Sequence, residues 1–393
     1  MVYAFDLCCC DAGVDGAMKL EKIDATGKPY RIFADRLEGG AIEQFTGAMQ
    51  LDCVVRGALM PDAHVGYTLP IGAVVATDGM VFPSFVGYDI GCGMCAVKTT
   101  FEAADVRAKA GAIFKRIYAL LPVGFAHRKT PLVWREGKRL DQTPFLKAQM
   151  ADGGLRQLGT LGSGNHFVEV GEDESGMAWI VIHSGSRNIG HTVATHYLKA
   201  ASPDGRPREG FYGLSAASAA GEDYVRDMAF CQAFALENRL QIMRVVAEAM
   251  QLEIKGDVMM DSLINRSHNH VERKDGLWIH RKGATHAEEG MPGVIPGNML
   301  DGSFVVRGKG HPESLFSSSH GAGRVMGRKE ALQKIDLKAF AAAMKAKGIT
   351  ARTDRDTLDE APQAYKSIWE VMAMQADLVD VLHHIRPIVN VKG

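Results

Sequence analysis

Short β-type runs at 73–77, 95–100, 166–170, 178–183 and 303–306 are each bounded by Gly, Asp, Ser or Asn clusters, and helical stretches fall between them without a regular βαβ beat. That irregular order constrains the fold more than any other feature. It predicts an α+β architecture of mixed and antiparallel sheets flanked by helices. Apolar residues at helical spacing predict a helix over about 105–121, where Ile113, Ile117, Leu120 and Leu121 share a face. They predict another over about 361–385, with Trp369, Met372, Ala376 and Val379, and a longer helical region over 214–254. Segments 201–210 and 290–297, rich in Gly and Pro, read as surface loops. Neither is long or polar enough for a flexible interdomain linker. The expectation is one domain over 1–393 with a helical excursion at about 200–256; a two-domain split near that excursion is the alternative.

Charge narrows the partners. With 45 Lys+Arg against 46 Asp+Glu, the formal net charge of -1 excludes a uniformly basic surface. Any nucleic acid must therefore be held by a local basic groove. No window approaches the roughly 18 to 20 apolar residues of a membrane span, and MVYAFDLCCCDAG lacks the basic start of a secretory signal, so no membrane association and a cytoplasmic location are expected. Seven cysteines, three of them consecutive at Cys8, Cys9 and Cys10, do not form a disulfide ladder and fit a reducing compartment.

Chemistry concentrates where histidines meet small residues. In VGYDIGCGM, Asp89 and Cys92 flank Ile90 and Gly91, and a carboxylate with a thiolate suits Zn, Mn or Fe if histidines arrive from elsewhere. Taken alone, the same D-x-x-C reads as a Gly-rich turn with a buried cysteine. Cys92 and Cys95 form one C-x-x-C, which lacks a second pair unless the Cys8–Cys10 run completes it. LGSGNHF presents Asn165 and His166, VIHSGSR presents His183 and Arg187 around a Ser/Gly turn suited to phosphate, and NRSHNH presents His268. SSSHGAGR places His320 between hydroxyls and a small-residue turn ending at Arg324, an arrangement for a nucleophile or acid/base facing a phosphoryl group. The competing reading is an N-capping turn before a helix near 329. Asp62 and His64 form a D-x-H pair facing one side of a strand. His191 and His196 lack zincin spacing and are assigned to structure, as are His383 and His384 near a helix C-terminus. No P-loop or Rossmann fingerprint occurs, so a bound nucleotide is held some other way.

Taken in order, MPDAHVG, VGYDIGCGM, LGTLGSGNHFVEV, IHSGSRNIGH, SHNHVERK, RKGATH, IPGNM, SHGAGRVMGR, AYKS and the terminal VKG make the chain resemble the RtcB family of RNA-splicing ligases, its shorter bacterial members above all, from about Met60 to Gly393. Each piece is weak alone; the ordered set is specific. The resemblance implies a GTP-dependent, manganese-dependent ligase that joins an RNA 3′-phosphate or 2′,3′-cyclic phosphate to a 5′-hydroxyl end. It implies that Asp89, Cys92, His166, His183 and His268 hold two Mn²⁺ ions and that His320 becomes guanylylated. It assigns Asn165, Phe167, Glu169, Asn298, Ser303, Gly321, Gly323, Tyr365 and Lys392 to the guanosine pocket, Arg187 to RNA phosphate, and Asp62 to assistance near the metals. A monomer, sometimes served by an archease-like activator protein, is the family's expectation.

The chain departs from the family pattern at Asn298, where a Ser is usual, at Ser318, where a Cys often stands, at Ser267 and at Cys95. None of these removes an implied ligand or nucleophile. Two other classes compete on the residues alone: a dinuclear metal phosphoesterase, which needs neither His320 nor a guanosine pocket, and a non-catalytic RNA-end-binding module with a structural metal. Only the ligase retains a covalent label from α-labelled GTP.

Overall fold

The computed structural model describes residues 17–19, 27–208 and 210–393; the Cys8–Cys10 run lies outside them. Seven strands form an antiparallel sheet in the order Ile264–Ser267, Gly93–Glu102, Met177–Ser184, Phe167–Glu172, Val379–Lys392, Ser303–Gly308 and Pro292–Pro296. The two-residue strand Thr350–Ala351 adds a parallel pairing to Val389 and Asn390. Side chains alternate across this sheet with the strand period of two. Ile180 and Ile182 turn outward and pack with Val168 and Ile388 against the helices Ala103–Leu120 and Ala219–Gln251. Trp179 and Val181 turn inward, where Ile264 from one edge strand and Val294 from the other join them in one buried cluster. The sheet therefore curls back on itself toward closure. Truncating Ile182 to alanine there should cost about 2–5 kcal/mol, the usual range for a fully buried aliphatic side chain.

A second sheet runs Asn269–Lys274, Leu277–Lys282, Ile71–Thr77, Val54–His64 and Tyr30–Ile32, antiparallel except for its last pair. Chain continuity joins the two sheets at a single residue: Ile264–Ser267 belongs to the first, Asn269–Lys274 to the second, and His268 lies between them.

The expected helices at 105–121 and 214–254 correspond to Ala103–Leu120 and Ala219–Gln251, the latter N-capped by Ser218, whose side chain accepts from the Gly221 N–H. The helical region lies close against the sheet, with Asn238 and Arg239 fully buried. Two expectations are corrected. The helix predicted over 361–385 is only Ile368–Met374, capped by Ser367; Val379–Lys392 is a strand, stabilised by pairing on both sides with Phe167–Glu172 and Ser303–Gly308. His383 and His384 are consequently strand residues and do not sit at a helix end. The loop predicted over 290–297 contains the edge strand Pro292–Pro296, whose prolines stand at its two ends, where a missing N–H is tolerated. No helix among the described residues is long and apolar enough to cross a membrane.

Candidate functional site

Four strand ends and turns deliver the histidine, cysteine and carboxylate side chains to one place. His166 precedes Phe167–Glu172, His183 lies near the end of Met177–Ser184, Cys92 precedes Gly93–Glu102, and His268 occupies the junction of the sheets. Cys92 Sγ lies 3.1 Å from His183 Nε2 and 3.4 Å from His166 Nε2. His166 Nε2 is 3.0 Å from Asp89 Oδ2, and His183 Nε2 is 3.3 Å from His268 Nε2. The outward nitrogens explain the arrangement. His183 Nδ1 faces the Asn165 carbonyl at 3.1 Å, so its Nδ1–H donates and its Nε2 lone pair turns inward; His166 Nδ1 lies between the Leu161 carbonyl at 3.0 Å and Arg187 Nη1 at 3.2 Å, with its Nε2 toward the cluster.

Electrostatics prepare these groups as ligands. Burial, reinforced by neighbouring imidazoles, holds His183 and His268 well below the usual imidazole range, so both stay neutral. Burial alone would raise the Asp89 carboxyl, but His166 and Arg187 hold it well below the ordinary carboxylate range, and it is ionised. Burial and then the Asp89 charge push the Cys92 thiol well up. A cation inverts that last effect, because a coordinated thiol is deprotonated. Carboxylate, thiolate and three inward imidazole nitrogens suit a transition-metal ion. A Cβ on Gly185 would collide with Asp89 Oδ1, so the turn after His183 requires its glycine. Cys95 is buried beneath the sheet, its thiol pushed up to about 12 by burial, and takes no part in the cluster.

His320 follows the short strand Ser317–Ser319, and its ring meets the His268 ring edge-on with centroids 4.8 Å apart. Its Nδ1 lies 2.6 Å from Oδ2 of Asp62, which is fully buried. Burial would raise the Asp62 carboxyl, yet the charge and hydrogen bond of His320 bring it below its usual value. An ionised Asp62 therefore accepts from Nδ1–H, and in the neutral imidazole that tautomer puts the lone pair on Nε2. Gly323, at φ +74°, carries the chain past Asp62; a side chain there would strike the Asp62 carbonyl. The helix Arg328–Lys334 starts eight positions after His320 with Gly327 as its cap, so the SSSHGAGR turn is not that helix's capping segment.

Beside His320 opens a cavity of about 230 Å³. Asn165, Phe167, Glu169, Asn298, Ser303, Gly321, Gly323, Tyr365 and Lys392 all line it. Three buried polar side chains converge in this lining: Ser303 and Asn390 lie within hydrogen-bonding reach of the Glu169 carboxyl, yet Glu169 Oε1, Ser303 Oγ and Asn390 Oδ1 form no well-aligned hydrogen bond. Buried polar atoms are normally satisfied, so their convergence fits a polar ligand that brings hydrogen-bond donors. Lys392 Nζ enters at 2.9 Å from Glu360 Oε2 and lies 5.1 Å from the Phe167 ring centroid. Asn298 uses its Oδ1 to accept from the main chain of Leu300 and Asp301, which shapes the wall.

Two further grooves meet at Asp89. One, between His320 and the cluster, is lined by Lys282, Arg324, Arg328 and Lys329 together with the acidic Glu38, Asp89 and Glu330. The other holds Arg187, whose Nη1 lies 3.2 Å from His166 Nδ1 and whose backbone adopts φ 60° at the first residue of its helix. That left-handed conformation is costly for a side chain of this size. It directs the guanidinium to the cluster. Sequence reasoning missed Glu360, which gathers Lys392, Tyr365, Arg324 and Arg328, and also Asn390, Asn238 and Arg239. Arg239 donates to the carbonyls of Gly91 and Ser184, each 2.8 Å away, beside Cys92 and His183. No local motif marks any of these residues.

A family profile described as "tRNA-splicing ligase RtcB" matches residues 44–143 and 135–393. Among curated relatives, the RNA-splicing ligase RtcB of Escherichia coli K12 is 33% identical, covering 96% of this chain and 100% of the relative. The tRNA-splicing ligase RtcB of Pyrobaculum aerophilum is 30% identical over 93% of this chain and 95% of its own length, and that of Archaeoglobus fulgidus is 30% identical over 88% of each.

Proposed function

Because the chain belongs to the RtcB family and is an RNA ligase, we propose that it seals RNA 3′-phosphate or 2′,3′-cyclic phosphate ends to 5′-hydroxyl ends through a guanylylated His320. The observation that carries this reading is the Asp62–His320 pair, 2.6 Å long, set between a cluster of metal-type ligands and a cavity in which the buried polar side chains Glu169, Ser303 and Asn390 converge.

Asp89, Cys92, His166, His183 and His268 would hold two Mn²⁺ ions, whose charge would neutralise the triphosphate and orient its leaving group. His320 Nε2 attacks the α-phosphorus of GTP, the α–β P–O bond breaks, and pyrophosphate leaves. Asp62 accepts from Nδ1–H throughout, so the proton stays on Nδ1 and Nε2 remains the nucleophile. Glu169, Ser303 and Asn390 receive donors of the guanine, Lys392 faces its O6 and N7 acceptors, and Phe167 and Tyr365 flank the base. A 2′,3′-cyclic phosphate is opened by water to the 3′-phosphate. The 3′-phosphate oxygen then takes GMP from His320 and releases the imidazole. Arg187 holds RNA phosphate while the 5′-hydroxyl attacks the activated 3′-phosphorus and GMP departs.

Incubation with α-³²P-GTP and Mn²⁺ tests the proposal. The parent should retain an acid-labile label after denaturation, and His320→Ala should retain none while still binding Mn²⁺. Full labelling of His320→Ala would assign the nucleophile elsewhere.

A further inference from the structure

Outside the cluster around Cys92, a second constellation of ligand-type side chains lies on the five-stranded sheet. His270 and Glu272 stand two residues apart on Asn269–Lys274, and His286 comes from the short strand Ala284–His286. Their ligand atoms all fall within 4.8 Å of one another. His270 is buried, and the other two are half-buried.

Hydrogen bonding fixes what His286 offers. His286 Nδ1 lies 3.1 and 3.2 Å from the two oxygens of Glu288, so it donates its proton there and Nε2 carries a lone pair. Arg281 Nη1 makes a long contact of 3.4 Å to His270 Nε2, while His270 Nδ1 is buried without a partner. The two Nε2 atoms are 3.1 Å apart, with ring planes 19° from parallel and centroids 5.0 Å apart. A proton on His270 Nε2 makes that contact an imidazole–imidazole hydrogen bond; with the proton on Nδ1 instead, both lone pairs face each other and can share a cation. The separation suits a shared metal: nitrogens bound at about 2.0–2.1 Å to a tetrahedral ion lie about 3.3 Å apart.

We propose that His270, His286 and Glu272 form a binding site for a divalent transition-metal ion, zinc in particular, distinct from the cluster around Cys92. Glu288 orients His286 in the way a carboxylate behind a zinc-bound imidazole commonly does. Entry of the ion displaces Arg281 Nη1 from Glu272, 2.5 Å away, while Arg281 Nε keeps Ser317 Oγ at 2.9 Å and Nη2 keeps the Leu315 carbonyl at 3.3 Å. Glu272 and Glu288 are balanced by Arg281 and by Lys274, 3.3 Å from Glu288, so the surroundings are neutral before the ion enters. Affinity should accordingly lie below that of a carboxylate-rich or thiolate-rich cage. The site's place in the fold gives it a bracing role. Asn269–Lys274 begins immediately after His268, and Ala284–His286 pairs with Ser317–Ser319, which leads into His320. An ion shared by His270 and His286 ties those two strands together.

The test uses the full chain and Zn²⁺ alone. Crystals of the unmodified protein, stripped with chelator and soaked in Zn²⁺, should give an anomalous peak at the zinc edge about 2.0–2.1 Å from both Nε2 atoms. In solution the parent should bind one more zinc ion than His286→Ala or Glu272→Gln, and the rise in its thermal midpoint on adding zinc should be smaller in either variant. Zinc at the Cys92 cluster with no density between His270 and His286 would overturn the proposal, as would equal zinc counts in parent and variants. The contact between the two Nε2 atoms would then be a hydrogen bond between the imidazoles. Because the diffraction arm needs no substitution, a variant that fails to fold cannot obscure the answer.

Discussion

Asp62 Oδ2 lies 2.6 Å from His320 Nδ1 and also accepts from the His320 main-chain N–H at 3.2 Å, so one buried oxygen fixes both the ring and the backbone of the same residue. Asp62→Asn should preserve the shape while presenting an amide that can donate to Nδ1. The ring proton would move to Nε2 and remove the lone pair that attacks phosphorus. Labelling of His320 by GTP should fall on the order of 10²–10⁴-fold, with manganese content unchanged. Labelling of the variant at the parent's rate would deny Asp62 any control over the tautomer.

Glu169 gives the nucleotide step a pH dependence. Burial pushes its carboxyl up to about 8, with Ser303 and Lys392 opposing the shift, so the free enzyme holds it protonated at neutral pH. Guanine donors favour the ionised carboxylate, and binding must then release a proton. The sign follows: below about pH 8 affinity for GTP should rise with pH, by at most tenfold per unit, and above it the dependence should flatten. Calorimetry in buffers of different ionisation enthalpy should detect the released proton near pH 7. Glu169→Gln should bind GTP more weakly without releasing one; undiminished release would point to another group.

Arg239 offers a separate test of how the cluster is built. Its guanidinium, fully buried, bonds to the carbonyls of Gly91 and Ser184 and to Asn265 Oδ1 at 2.7 Å, with Ser267 Oγ at 3.3 Å. Those residues neighbour Cys92, His183 and His268. Arg239→Met should remove the guanidinium donors to the Ser184 carbonyl and Asn265 Oδ1, a loss of about 1–3 kcal/mol for each group left unsatisfied, while the Gly91 carbonyl keeps the Ser267 hydroxyl, and should weaken metal binding about 10–100-fold without touching a ligand. Arg239→Lys, able to restore one or two of the bonds, should recover part of the affinity. Metal titrations that do not distinguish parent from Arg239→Met would assign Arg239 to folding alone.

The contrast between Arg239 and His183 also explains what could be read in the sequence. His166, His183, His268 and His320 each stand beside small or hydroxylic residues within a few positions of a strand, so the chain itself carries the signal. Arg239 and Asn238 lie inside an ordinary helical pattern, and Glu360 is the second residue of the unremarkable acidic pair Asp359–Glu360; they acquire meaning only through groups tens or hundreds of residues away. The segment after Met374 was misread for the same reason. Trp369 and Met372 do belong to a helix, but from Val379 onward β-branched residues and Pro387 pair with strands from distant parts of the chain, and that pairing outweighs the local helical period.

That final strand carries the last prediction. Lys392 pairs with Phe167 in the sheet, its carbonyl accepts from Tyr118 Oη at 2.8 Å, and its Nζ is buried 2.9 Å from Glu360 Oε2. Residues near a chain end are usually solvated and dispensable, but here the ammonium is held inside the cavity lining. Burial would raise the Glu360 carboxyl, yet Lys392 and Arg328 bring it down to about 2, so Glu360 is ionised at neutral pH. The stability this gives is present above the usual glutamate value and is lost as pH falls toward 2. Lys392→Ala should leave Glu360 with Arg324 and Arg328 as its cationic partners and remove the donor facing guanine O6 and N7. Labelling of His320 should drop, and the preference for GTP over ATP should narrow by about 10- to 100-fold, since a charge-assisted hydrogen bond contributes about 1.5–3 kcal/mol. Glu360→Gln should impair the same selectivity less, because Lys392 remains but loses its anchor. Competition between GTP and ATP for covalent labelling measures both effects, and a Lys392→Ala protein with the parent's selectivity would place guanine recognition on Glu169, Ser303 and Asn390 without the lysine.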